Sequence, residues 1–151
     1  MRDKPPFFPQ GTDYSCVPAC LRSILAHYGI EKSEEELIQA CKCDQGTTVD
    51  NLVAAAHALG FSGTEADFSD WDGLRHHVMN GSFPIVWIRV RSEPAMVNPP
   101  LHAVVVTSHG KRVVMLNPAS GPDYVLSEKE FRHAWDQADN LIVVVRREAR
   151  P

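Results

Sequence analysis

In the first half of the chain, apolar residues recur every three or four positions, the spacing of one buried face of an α-helix. Val17, Cys20, Leu21, Ile24 and Tyr28 predict a first helix, with Gly29 as its C-terminal cap. Ser33 to Glu36, "SEEE", reads as a capping box, and Leu37, Ile38 and Cys41 supply the stripe of a second helix. "GTTVDNLVAAAHALG" predicts a third helix, closed by Gly60. "SDWDGLRHHVMNG" predicts a fourth, with Trp71, Leu74 and Val78 on one side and Gly81 at its end.

The pattern then changes. "FPIVWIRV", "LHAVVVTS", "RVVMLN" and "LIVVVRR" are apolar and β-branched, which is strand chemistry. "SEKEFRHAW", from Ser127 to Trp135, interrupts them as a short capped helix. "RSEPAMVNPP" holds three prolines and reads as a loop immediately before His102. Helices first and strands afterwards predict an α+β fold, with an N-terminal helical half packed on a C-terminal antiparallel sheet. "KPPFFP" reads as part of an extended arm over residues 1–9.

The chain has 151 residues, the size of one domain, and can bury a core without disulfides or a structural metal. A net charge of −4 argues against nucleic acid or an anionic membrane as the main partner. No apolar run is long enough to span a bilayer, and "MRDKPPFFPQ" has no signal core, so a cytoplasmic location is expected. The four cysteines, Cys16, Cys20, Cys41 and Cys43, are then free thiols. Cys41 and Cys43 form a C-x-C, and the C-x-x-C spacing usual for zinc does not occur.

Cys16 stands where "QGTDYSCVPACLRSILAHYG" enters its helix. A helix N-terminus carries partial positive charge and unpaired N–H groups, and both favour a thiolate. Pro18 suits the first turn, where its missing N–H costs nothing. The residue before a proline avoids helical angles, which makes Val17 a candidate cap and leaves Cys16 at the cap or one residue outside it. Cys20, one turn deeper, reads as packing.

A nucleophilic thiol needs a base and a group to orient that base. His27, His57, His76, His77 and His133 fall in predicted helices, and His109 in a turn beside Gly110. His102 instead opens a strand after the proline-rich loop. "LHAVVVTSHGKRVVMLNP" reads as a hairpin, and with Ser108 opposite Lys111 the register places His102 opposite Asn117. An asparagine oxygen there accepts the imidazole N–H and fixes its tautomer. Gln10, six residues before Cys16, can donate a side-chain N–H and form an oxyanion hole with the Cys16 N–H.

These residues resemble the papain-like cysteine peptidases that process bacteriocin leader peptides, together with their stand-alone relatives. The resemblance rests on Gln10, Ser15, Cys16, Ala19 and Tyr28-Gly29, on "HAVVV" from His102, and on Asn117-Pro118. "GTTVDNLVAAAHALGF" and "FRHAWDQADNLIVVV" extend it over Gln10 to Val145. Val17 departs from the glycine that exporter-linked members carry after the cysteine, and Asn117 from their frequent aspartate. The resemblance implies a single papain-like domain over residues 1–151 of a bacterial, cytoplasmic enzyme. It also implies a peptide or protein substrate cut after small residues, no cofactor or metal, and action alone or with a separate exporter. Two other readings stand beside it: another acyl transfer on the same residues (amidase, deamidase or transpeptidase), and a leader-binding module without activity.

Overall fold

The structure, a computed structural model, describes residues 4–90 and 100–148. All of the proline-rich loop except Pro100 lies outside the described residues, as do residues 1–3 of the arm. The elements run α1 (Cys16–His27), α2 (Glu34–Ala40), α3 (Val49–Ala58), β1 (Glu65–Phe68), α4 (Trp71–Met79) and β2 (Ile85–Ile88). They continue with β3 (His102–Ser108), β4 (Arg112–Asn117), β5 (Gly121–Ser127), α5 (Glu128–Asp136) and β6 (Leu141–Val144). The strands form one antiparallel sheet in the order β1-β6-β2-β3-β4-β5.

The fold is α+β, with the N-terminal helices packed on an antiparallel sheet. Strand alternation divides the core in two. Ile85, Trp87, Ala103, Val105, Leu116 and Val143 face α1 to α3 and join Leu21, Leu25, Leu37 and Leu52. Val86, Ile88, Val104, Val106, Val113 and Met115 face the other way, where α4 and α5 bring Leu74, Phe131 and Trp135. The sheet is therefore covered on both faces, which explains why its central strands read as unbroken apolar runs.

The local signals are realised as expected. Gly29 closes α1 at φ 85°, and Ile30 N–H returns to the Leu25 carbonyl. Ser33 and Ser127 both cap reciprocally with the glutamate three residues on. β1 and β5 carry no readable signal. All four residues of β1 are exposed, so nothing alternates, and β5 begins with Gly-Pro, a turn dipeptide.

α1 is held mainly by its buried face. Leu21 and Leu25 are completely buried, and such a side chain contributes about 1.5–3 kcal/mol. Cys20 belongs to the same buried set; burial first, and the neighbouring Cys16 second, push its thiol well up. Cys20→Ser places a hydroxyl in this apolar core. It is expected to cost about 1–3 kcal/mol in urea unfolding and to leave activity per folded molecule unchanged. Lost activity with unchanged unfolding would show that Cys20 is the working thiol.

Candidate active site

The helix entrance differs from the sequence expectation. Ser15 is the N-cap and Cys16 the first helical residue, while Val17 lies inside the helix and not at its cap. The steric bias of a residue before proline is outweighed here by burial: Val17 is 3% exposed and packs in the helix-side core. That burial also gives the side chain at this position, where the resemblance expects glycine, a place in the helix-side core. Pro18 occupies the first turn, where an N–H has no intrahelical partner.

The half-buried Cys16 thiol meets three backbone N–H groups: its own, that of Val17, and that of Ala103 on β3. Ala103 follows His102, so this contact brings the helix entrance to the start of that strand. Burial pushes the thiol up, and the three N–H groups pull it back only in part. Cys43 also lies close by, its thiol donating to the Tyr14 carbonyl at 3.5 Å. The sequence gives Cys43 only as half of a C-x-C, because nothing local joins it to a loop 29 residues earlier.

His102 Nε2 and Asn117 Oδ1 lie 2.6 Å apart. The pairing expected from the sequence is met, but through a different register. Val105 pairs with Leu116 and Val106 with Met115, and a bulge follows before Ser108 meets Val114. Ser108 therefore does not face Lys111, and His102 reaches Asn117 diagonally. A shift of two residues keeps every side chain on its own face, and diagonal neighbours about 7–8 Å apart are within reach of long side chains. A second irregularity, between Met115 and Asn117 on the β5 side, ends β4 at the asparagine.

Asn117 is 5% exposed, and its Oδ1 also accepts the Ala119 N–H at 3.0 Å. Two donors on one oxygen fix which end of the amide faces the ring. His102 Nε2 is therefore the protonated nitrogen, and Nδ1 is left to exchange a proton. Burial pushes the half-buried imidazole down from its ordinary value, and the Asn117 bond offsets this in part. With the thiol pushed up and the imidazole down, both rest neutral near pH 7. Among the described residues no hydrogen bond joins the two directly; such bonds often tighten only when substrate binds.

Gln10 is tied to the same turn, its backbone N–H donating to the Pro118 carbonyl at 3.0 Å. Its Nε2 donates to the Thr12 carbonyl at 2.7 Å, while its Oε1 is buried without a partner. The second hydrogen on Nε2 remains for another acceptor. The other histidines hold ordinary places where their contacts are described: His57 Nε2 meets the Thr64 carbonyl, and His76 meets Asn80. Among the described residues no cluster of three or more His, Cys, Asp or Glu could hold a metal ion. No described helix is long and apolar enough to cross a membrane.

A thiol at a helix entrance, beside a strand that opens with an asparagine-bound histidine, is the layout of the papain-like class of cysteine hydrolases. The chain belongs to the Peptidase C39 family, whose sequence model matches residues 4–149, and it is a cysteine peptidase. Solved structures share the fold. The peptidase domain of Streptococcus ComA, a bi-functional ABC transporter of a quorum-sensing pathway, aligns with a TM-score of 0.71 and 23% identity over 94% of this chain and 98% of that one. A double glycine motif protease from an AMS/PCAT transporter, in complex with its leader peptide, gives 0.69 and 22% over 96% and 93%. A C39-like peptidase from Bacillus anthracis gives 0.76 and 16% over 98% of both chains. An uncharacterized protein of Methanothermobacter marburgensis is 36% identical over 70 residues, 46% of this chain and 49% of that protein. The aligned stretch thus spans about half of that relative.

Proposed function

We propose that the chain hydrolyses a peptide bond after small residues, removing a leader peptide, with Cys16, His102 and Asn117 as the catalytic triad. The observation that carries this reading is the 2.6 Å His102–Asn117 bond placed one residue from the N–H that contacts the Cys16 thiol. The likeness to a double glycine motif protease seen with its leader supports the substrate class.

In this reading Cys16 Sγ attacks the scissile carbonyl carbon while His102 Nδ1 takes the thiol proton. The resting pair is neutral, so proton transfer accompanies attack. The second Nε2–H of Gln10 and the Cys16 backbone N–H stabilise the developing oxyanion. His102 then gives its proton to the leaving amine, and a thioester remains on Cys16. Water, deprotonated by His102, attacks the thioester carbon; the C–S bond breaks, Cys16 Sγ regains the proton from His102, and the new carboxylate is released. Asn117 keeps Nε2 protonated and the ring in place throughout.

Gln10→Ala is expected to lower kcat by about 10²–10³ with little change in KM, the loss of one oxyanion donor. An unchanged kcat in steady-state assays would remove Gln10 from the reaction. Asn117→Ala removes a hydrogen bond to a group that becomes charged during turnover, which is worth about 1.5–3 kcal/mol. Its kcat/KM is expected to fall about ten- to a hundredfold. Because the Asn117 bond raises the His102 pKa, its loss moves the acidic limb of the pH profile to lower pH. A limb that moves upward would contradict the assignment.

A product assay on peptides with and without a Gly-Gly junction tests the whole reading. Cleavage after the small residues by wild type, absent in Cys16→Ala, supports it. Cleavage that survives Cys16→Ala, or no cleavage of any peptide, refutes it. Products joined to an added amine, without the free acid, would mark transfer and not hydrolysis.

A further inference from the structure

The turn between Gln10 and Cys16 carries both proposed oxyanion donors, and its shape depends on a residue far away in sequence. Glu34, the first residue of α2, directs its carboxylate back to this turn. Its Oε2 accepts the Gly11 N–H at 2.6 Å and the Ser15 hydroxyl at 3.2 Å. Ser15 Oγ in turn accepts the Thr12 N–H at 3.2 Å and the Thr12 hydroxyl at 2.8 Å. The Thr12 carbonyl receives the Gln10 amide. A continuous set of hydrogen bonds thus runs from one carboxylate oxygen to the Gln10 side chain on one side and to the residue before Cys16 on the other.

Three further observations fit this arrangement. Ser15 is completely buried and caps α1 by position, yet its side chain makes no capping bond; its hydroxyl is committed to Thr12 and Glu34. Gly11 leaves the carboxylate room, because a Cβ there would collide with Glu34. The Ser33–Glu36 capping box fixes the start of α2, so Glu34 projects from a well-anchored helix end.

We infer that Glu34 is a positioning residue of the reaction, holding the Gln10–Cys16 turn so that the Gln10 amide and the Cys16 N–H converge on the oxyanion. This inference rests on the proposed thiol chemistry. It is separable from that chemistry because two reagents probe different steps. Iodoacetamide alkylates a thiolate by displacement and forms no oxyanion. p-Nitrophenyl acetate acylates the same sulfur through a tetrahedral oxyanion, releasing p-nitrophenolate.

Both rates would be measured on the full chain and mapped to Cys16 by peptide mass spectrometry, in wild type, Glu34→Ala, Glu34→Gln and Cys16→Ala. Glu34→Ala is expected to lower acylation by about 10²-fold, approaching the loss of one oxyanion donor, with alkylation changed less than about twofold. Glu34→Gln keeps an oxygen able to accept both hydrogen bonds, and it is expected to recover at least about tenfold of the lost acylation rate. The ratio of the two rates is read on folded protein only, so a loss of stability does not imitate the result. Equal acylation in Glu34→Ala and wild type overturns the positioning role and leaves the nucleophile standing. A parallel fall in both reactions overturns it too, and shows that Glu34 only supports the helix entrance. If wild-type Cys16 is acylated no faster than Cys43, both the positioning role and the proposed chemistry fail.

Discussion

Cys16→Ala is expected to abolish peptide hydrolysis and to leave the fold intact. No other described thiol can replace it. Cys20 and Cys41 are buried, and burial pushes Cys41 up to about 12. Cys43 is half-buried and lies outside the helix entrance, and its thiol is engaged with the Tyr14 carbonyl at 3.5 Å. The fold survives because Cys16 contributes only a half-buried side chain to α1, which Val17, Leu21, Ile24 and Leu25 anchor in the core. A melting temperature within a few degrees of wild type, with cleavage at background, is the expected pair of results. Residual cleavage near the wild-type rate would place the chemistry elsewhere.

His102→Ala removes the proton acceptor, and a positioned general base contributes about 10²–10⁴ in rate. A fall of that size in kcat/KM is expected, together with a change in pH dependence. The base works only when neutral. Burial lowers its pKa, so in wild type the acidic limb lies below the ordinary imidazole value of 6.5, and activity persists into more acidic solution than an exposed histidine would allow. In His102→Ala that limb disappears and the residual rate follows thiolate formation, rising above the ordinary thiol value of 9.0 because burial raises Cys16. A wild-type limb above 6.5, or one unchanged by the substitution, would show that another group controls the reaction.

The parts of this molecule that were legible in the sequence are the ones set by near neighbours. The α1 stripe, the Ser33–Glu36 capping box, the capped start of α5 and the glycine after Tyr28 each depend on residues a turn apart, and each appears as read. The association of His102 with Asn117 was legible for a weaker reason. The hairpin register is two residues away from the one that suggested it, and the pairing survives because such a shift preserves faces. The bulge before Ser108 leaves no mark in a run of valines.

What the sequence hides is long-range or without contrast. Glu34 looks like one of three acidic residues in a solvated first turn, and only the folded chain shows that it reaches back to Gly11 and Ser15. Cys43 gains its place beside Cys16 in the same way. Val17 is a candidate cap by a local steric rule alone, and burial visible only in three dimensions places it inside the helix. β1, exposed along its whole length, has no apolar face to betray it.

The central claim is that a peptide acyl group passes through Cys16 with His102 as the base. The direct measurement is to mix the protein with a peptide p-nitrophenyl ester ending in Gly-Gly, quench in acid on the millisecond scale, and map the acyl group by peptide mass spectrometry. The account predicts one acyl group, on Cys16, formed at least about a hundredfold more slowly in His102→Ala and hydrolysed on to the free acid. An acyl group carried by another residue, or formed on Cys16 at the same rate without His102, would contradict it.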